Sequence, residues 1–284
     1  MSAKILDGKA IGQTILNKVA TEIKRRKTAN LPTPILAVIL VGNDAASAIY
    51  VKNKLLACKQ VGITCNLFKL NANVTQKKLL ALIHDLNTDP NTNAILVQLP
   101  LPSSINLETV LAKINPAKDV DGFNPYNVGL TAHGWPTLQA CTPMGILKLL
   151  KHTKVTLRGK NAVIIGSSNI VGKPMALCLI NAGCTVTICN KHTTSLADLV
   201  SKADILISAT GQPHLITGDW IKPNSIVIDV GIKKVNNQIV GDIDFKTAKQ
   251  KAKWITKVPG GVGPMTIACL IENTLLTQKL QLNK

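Results

Sequence analysis

Apolar residues fall in two alternating patterns along this chain. Short continuous runs stand at ILAVILVG (35–42), ITCNLFKL (63–70), AILVQLPLP (94–102), KNAVIIG (160–166), CTVTIC (184–189), ADILISAT (203–210) and SIVIDVG (225–231). Runs of this length, rich in Val and Ile and closed by glycine, proline or polar residues, predict strands buried on both faces. Between them lie stretches whose spacing predicts helices over 9–28, 45–62, 75–88, 106–113, 172–182 and 195–202. Thr142 and Pro143 read as the start of a further helix over 141–150, and PMTIACLIENTLLTQKL predicts a last one over 264–280. Strand–helix alternation predicts a mostly parallel sheet with helices on both faces. Residues 115–140 interrupt it. They are rich in Pro, Gly and Asn, lack periodicity, and predict a long functional loop. The expected organisation is α/β throughout: a three-layer N-terminal catalytic domain over 1–120 completed by the C-terminal helix 264–284, a connecting active-site loop over 121–140, and a Rossmann-type domain over 141–263, with a cleft between the domains.

Composition narrows the function classes. Aromatic residues are only 3% of the 284, so the core must be aliphatic. No apolar run reaches the roughly 18 residues of a membrane span, and MSAKILDGKAIGQ does not read as a secretion signal. A cytoplasmic chain with no membrane partner is expected. The seven cysteines are odd in number and include no CxxC, and no histidine joins Cys184 and Cys189 in a zinc-like spacing. Reduced, mostly buried thiols and no metal are expected. The formal charge of +18 raises nucleic acid as a partner. The lysines are scattered, however, and the densest cluster, Lys24 to Lys27, has no interleaved aromatics. The preferred reading is attraction of an anionic small substrate and a phosphate-rich cofactor, with no nucleic-acid partner.

The strongest spacing signal is VIIGSSNIVGKP (163–174): a strand, a turn at Gly166, and a helix entered near Gly172. Glycine lets backbone approach a pyrophosphate, and a helix N-terminus offers N–H groups to its charge. GxGxxG is absent; Gly166, Ser168 and Gly172 stand as GxSxxxG, which a plain strand–helix turn would also allow. After the next strand one looks for an acid to bind the adenosine ribose of NAD. CNKHTTS (189–195) has none and offers Asn190, Lys191, His192 and Thr193 instead, which points to the 2′-phosphate of NADP.

In the N-terminal half, Tyr50 and Lys54 lie four apart on one helix, with Lys54 at the edge of the stripe Ala48, Val51, Leu55 and Cys58. Such a lysine can be partly desolvated and act as acid or base, or it can lie along the surface with its ammonium in water. Gln98 ends a strand, where a polar side chain is placed to face a crevice. Asp121 in KDVDGF is either functional or ordinary Asp–Gly turn chemistry. VPGGVGPMT (258–266) is either a rigid backbone surface for a planar ligand or a connection.

Together these pieces resemble the bifunctional methylenetetrahydrofolate dehydrogenase/methenyltetrahydrofolate cyclohydrolase family. The resemblance spans VGNDAASAIYVKNKLLACKQVGI (41–63), ILVQLPLP (95–102), KDVDGFNPYNVG (118–129), CTPMGI (141–146), VIIGSSNIVGKPMA (163–176), VIDVGI (227–232) and VPGGVGPMTIACLIENT (258–274). It implies NADP-dependent oxidation of 5,10-methylenetetrahydrofolate and hydrolysis of the methenyl product to 10-formyltetrahydrofolate. Those one-carbon units would feed purine, methionine and histidine synthesis and initiator-tRNA formylation. It implies a catalytic Lys54, an orienting Tyr50, a glutamine partner Gln98 and a pterin-binding Asp121, with further folate contacts at Val97, Leu99, Pro259, Gly260, Gly261, Val262 and Gly263. Dinucleotide contacts map to Gly166, Ser167, Ser168, Lys191 and Ile232, with Ser167 standing where many members have arginine. The family is similar in being mostly homodimeric. Two other readings remain: a Rossmann dehydrogenase of the shikimate or amino-acid type, which would not need PGGVGPMT, and a basic nucleic-acid-binding module, whose binding would weaken steeply with salt.

Overall fold

A computed structural model describes residues 2–236 and 238–282. In chain order its first half carries β1 (Lys4–Leu6), α1 (Gly8–Thr28), β2 (Ile35–Val41), α2 (Ala45–Val61), β3 (Thr64–Leu70), α3 (Gln76–Thr88), β4 (Ala94–Val97), α4 (Leu107–Lys113) and α5 (Pro125–Ala132). Its second half carries α6 (Cys141–His152), β5 (Asn161–Ile165), α7 (Gly172–Asn181), β6 (Thr185–Cys189), α8 (Leu196–Val200), β7 (Ile205–Ser208), β8 (Ile226–Asp229), β9 (Lys233–Val235), β10 (Gln238–Val240), α9 (Phe245–Ala248), β11 (Trp254–Thr256) and α10 (Val262–Leu282). Two compact units result: Met1–Gly12 with Thr142–Thr266, and Gln13–Cys141 with Ile267–Lys284.

The unit of Gln13–Cys141 and Ile267–Lys284 is built on a parallel sheet of order β3-β2-β4. The continuous apolar run of β2 has a direct cause, because helices cover both of its faces. Ala37, Ile39 and Val41 pack with Leu79, Ile83 and Leu86 of α3 and Val110 of α4. Leu40 and Leu67 turn the other way, toward α2, where they line an open cavity with Ala48, Val51 and Leu55. Next to β4 the chain returns: Ile95 N donates to Lys118 O at 2.7 Å, and Ile95 and Asp119 form an isolated parallel bridge. This return carries the segment that ends in Asp121 alongside the strand that ends before Gln98. Buried Lys118 anchors it by donating from Nζ to Leu86 O (3.0 Å) and Asp89 O (2.7 Å).

The other unit holds a six-stranded parallel sheet of order β1-β11-β8-β7-β5-β6. The chain leaves β5 to one side for β6 and returns to the other side for β7. Strand order therefore reverses at β5, and a crevice opens at the carboxyl ends of β5 and β7. Val163, Ile165, Leu206, Val227 and Ile255 pack toward α8 and α9 on one face, and α7 packs on β5 and β6. No helix among the described residues is long and apolar enough to cross a membrane.

Four expectations from the sequence need correction. Residues up to Gly12 belong with 142–266 rather than with 1–120, because Lys4, Ile5 and Leu6 pair with Trp254, Ile255 and Thr256. Strands of three residues are too short to show a period. The strand predicted over 94–102 stops at Val97. The connecting loop contains α5, started by Asn124, whose Oδ1 accepts from Tyr126 N at 2.8 Å. That helix buries Asn127 and Thr131 rather than an apolar stripe, so no periodicity announces it. Finally, α6 starts at Cys141, and the hydroxyl of Thr142 meets that of Thr266 at 2.9 Å instead of capping the helix.

Candidate active site

On α2 the buried positions are Ser47, Val51, Lys54, Ala57, Cys58 and Val61. Lys54 thus lies within the buried stripe rather than at its edge, with 7% of its surface exposed. Its Nζ donates to Gln98 Oε1 at 3.0 Å. The amide of Gln98 cannot turn freely, since Nε2 donates to Leu99 O at 2.7 Å and its backbone N donates to Ile39 O at 2.8 Å. Ser47 Oγ donates to the same Leu99 carbonyl at 3.3 Å, which ties the first turn of α2 to the end of β4. Tyr50, one turn before Lys54, is half-buried, and burial pushes its hydroxyl above the usual phenol range. The carboxyl of Asp121 is pushed up to about 6 by burial, with Lys54 opposing and Asp119 adding to the rise. Lys54, Gln98 and Asp121 therefore form one electrostatic group: an ammonium held by a neutral amide, facing a carboxyl that gives up its proton reluctantly.

Residues that the sequence reading did not single out hold Asp121 in place. Asp119 is buried; its Oδ1 accepts from Gly122 N (3.1 Å), and its Oδ2 accepts from Asn124 N (2.8 Å) and Asn127 Nδ2 (2.9 Å). Those bonds fold residues 119–127 around one carboxylate. From α10, buried Asn273 Nδ2 donates to Val120 O and Gln139 O, both at 3.0 Å. Cys141 N donates to Asp121 O at 3.3 Å. Two signals could have found them. One is the spacing of Asp119, Gly122, Asn124 and Asn127; the other is a polar Asn273 on the apolar stripe of a long helix.

The remaining expected residues divide between the units. Val97 packs its side chain into the core beside α3, leaving only its backbone for a ligand, and Leu99 is half-buried. Pro259, Gly260, Gly261, Val262 and Gly263 belong to the unit of Gly166, Ser167, Ser168, Lys191 and Ile232. Pro259 is exposed, Gly261 and Val262 are buried, and a Cβ on Gly263 would sit 3.8 Å from Ile232 Cδ1.

The turn after β5 fits a pyrophosphate. Gly166 has φ +112°, and a Cβ there would lie 2.3 Å from Ala209 O, so only glycine serves. Ser168 Oγ accepts from Val171 N at 3.2 Å, and no side chain caps α7 at Val171. Ser168 also accepts from Gly172 N (3.5 Å, at Oγ) and from Lys173 N (3.0 Å, at its carbonyl), and Pro174 has no N–H, so the start of α7 offers an anion its positive dipole end rather than free N–H groups. After β6, Asn190 Oδ1 accepts from His192 N and Thr193 Oγ accepts from Asn190 N, both at 2.9 Å. This closed turn leaves Lys191 and His192 exposed and contains no carboxylate to repel a 2′-phosphate.

Asp121 carries a stability consequence. Its folded pKa of about 6 stands above the ordinary 3.8, so folding favours the protonated form. The penalty for ionising it is absent below about pH 4, grows as pH rises through that window, and is complete above about pH 6. Asp121→Asn is expected to stabilise the protein by on the order of 2 kcal/mol at pH 8 and by little at pH 4. Denaturant unfolding at both pH values checks this; equal stability of variant and wild type at pH 8 would contradict it.

Residues 6–121 match the tetrahydrofolate dehydrogenase/cyclohydrolase catalytic domain, and residues 140–282 match the NAD(P)-binding domain of the same family. The solved bifunctional methylenetetrahydrofolate dehydrogenase/cyclohydrolase from Campylobacter jejuni is 46% identical, with a TM-score of 0.96 over 99% of this chain and 100% of that one. The Trypanosoma brucei dehydrogenase-cyclohydrolase, solved with NADP and an inhibitor, is 36% identical, with a TM-score of 0.96 over 100% of both chains. Shikimate dehydrogenase from Aquifex aeolicus, at 15% identity and a TM-score of 0.54 over 87% of this chain and 97% of that one, shares the fold alone. With both domain families matched in order along nearly the whole chain, and with Lys54, Gln98 and Asp121 gathered into one group, this chain belongs to the tetrahydrofolate dehydrogenase/cyclohydrolase family.

Proposed function

We propose that this protein oxidises 5,10-methylenetetrahydrofolate to the 5,10-methenyl cation with NADP, and hydrolyses that cation to 10-formyltetrahydrofolate. The observation that carries the reading is buried Lys54 held on the oriented amide of Gln98 beside Asp121. The dinucleotide supplies one piece of chemistry when bound, acceptance of a hydride from the one-carbon unit. The protein's share of that step is geometric. Tyr50 orients the substrate, and Asp121 accepts from the donor-rich edge of the pterin. Gly166, Ser167, Ser168, Lys191 and Ile232 are the proposed dinucleotide contacts. Pro259 to Gly263 form a proposed backbone surface for the folate.

Hydrolysis asks more of the side chains. Water must add to the methenyl carbon, lose a proton, and leave a proton on the ring nitrogen as the carbon–nitrogen bond opens. Lys54 is assigned that proton work, with Gln98 holding the ammonium in place. General acid–base catalysis by one positioned side chain contributes about 10²–10⁴-fold. Lys54→Met is therefore expected to reduce cyclohydrolase activity at least about a hundredfold and dehydrogenase activity far less. Loss of the methenyl chromophore and appearance of reduced cofactor report the two steps separately. Equal loss of both, with a raised KM for the folate, would show that Lys54 only binds.

The cofactor assignment rests on the acid-free turn at Asn190–Thr193. A charge-assisted hydrogen bond is worth about 1.5–3 kcal/mol, so losing the one from Lys191 to a 2′-phosphate costs roughly 10- to 100-fold. The ratio of kcat/KM for NADP over NAD is expected to be well above one and to fall by that factor in Lys191→Ala. A wild-type ratio near one would defeat the preference for NADP.

The reading also includes a cytoplasmic homodimer joined through the nucleotide-binding unit. There β6 is an edge strand, and it leaves Ile188 40% exposed. Light scattering at working concentration is expected to give about twice the chain mass; a monomer would count against it.

A further inference from the structure

Two buried carboxyl groups in the nucleotide-binding unit have no part in the chemistry above. Asp229 ends β8 and is 5% exposed; Asp242 follows β10 and is 1% exposed. Each bonds to backbone at a different strand end. Asp229 Oδ1 accepts from Gly231 N and Asp242 N, and its Oδ2 accepts from Ile243 N, all at 3.0 Å. Asp242 Oδ2 accepts from Ser208 Oγ at 2.9 Å and from Thr210 N at 2.7 Å. Ser208 ends β7, and Ala209 lies between the two groups that Asp242 holds.

The two carboxyl groups thus join segments that carry expected dinucleotide contacts. Ala209 O is the atom against which the Gly166 turn is seated. Gly231 precedes Ile232. The packing leaves no slack: a Cβ on Gly231 would lie 2.0 Å from Asp242 Oδ1, and one on Gly241 would lie 2.0 Å from Asp229 Oδ2. One oxygen, Asp242 Oδ1, is buried with no hydrogen-bond partner.

We propose that Asp242 and Asp229 are positioning residues for the dinucleotide, a carboxyl pair that holds the seat of the Gly166 turn in register with the Gly231–Ile232 loop. Neither touches the ligand. An ionised carboxylate this deep in the unit is disfavoured by burial, and a second carboxyl beside it adds to the cost. Burial pushes the Asp229 carboxyl up to about 7 despite its backbone hydrogen bonds, with Asp242 adding to the rise. The other charged or titratable groups around Asp229 are His214, Asp244 and Lys246, which line the adjoining cavity. Asp229 therefore keeps its proton below about pH 7 and loses it above, and dinucleotide affinity weakens across that step.

This inference rests on the dinucleotide reading of the unit, and the full-length enzyme tests both. Asp242→Ala removes the acceptor and is expected to raise the KM for NADP about tenfold while changing kcat and the folate KM less than about twofold. Asp229→Asn keeps an acceptor oxygen and removes the titrating carboxyl. Binding of NADP and of NAD, followed calorimetrically from pH 6 to 8.5, is expected to weaken severalfold with rising pH in the wild type and to stay level in Asp229→Asn. Both ligands are needed because a phosphate monoester itself titrates near pH 6; NAD has no 2′-phosphate. A merely structural role would lower Tm and leave the pH dependence untouched. A wild-type NAD affinity independent of pH, or an Asp229→Asn profile that follows the wild type, overturns the proposal even if Asp242→Ala fails to fold. A wild type that binds neither dinucleotide overturns the site reading itself.

Discussion

An ammonium withdrawn from water needs compensation, and Lys54 obtains it from a neutral amide and a reluctant carboxyl. Gln98 Oε1 gives the ammonium an oriented acceptor at 3.0 Å without a full opposing charge. The arrangement depends on rigid neighbours. The Gln98 amide is fixed by Leu99 O, the Leu99 carbonyl is tied to α2 through Ser47, and Asp121 is set by a loop folded around Asp119. Nearly every feature of this unit that bears on chemistry serves to keep those three polar groups facing one another.

Both units use the same topological fact. In a parallel sheet the carboxyl ends of all strands lie along one edge, so side chains and turns just beyond them converge. In one unit Gln98 follows β4, and Asp121 follows a segment bridged to it. In the other, Gly166 follows β5, Ser208 and Asp229 end β7 and β8, and the acid-free turn follows β6. Apolar strand bodies anchor these ends, and polar or glycine residues appear where the strand leaves the core. The buried carboxyl groups of Asp119, Asp229 and Asp242 accept hydrogen bonds from the segments around these strand ends.

What the sequence by itself determined was whatever shows as a local pattern. The interior strands were legible because burial on both faces demands continuous aliphatic runs, as in ILAVIL and AVII. The Gly166 turn and the missing acid before Lys191 were legible because backbone approach and charge are properties of single residues at fixed offsets. The resemblance to the folate enzymes rested on such segments too. Only the tertiary structure decided the rest. β1 exists because β11 lies beside it, and three residues carry no period. α5 buries polar side chains, so its sequence resembles a loop. Lys54 read as an edge residue until Gln98, 44 positions on, was brought to its ammonium. Asp119, Asp229 and Asp242 each stand near glycine and look like ordinary turn residues; what removes their water is packing against segments from 3 to 34 residues away. Burial is a property of the assembled chain, and the electrostatics of this protein follow from burial.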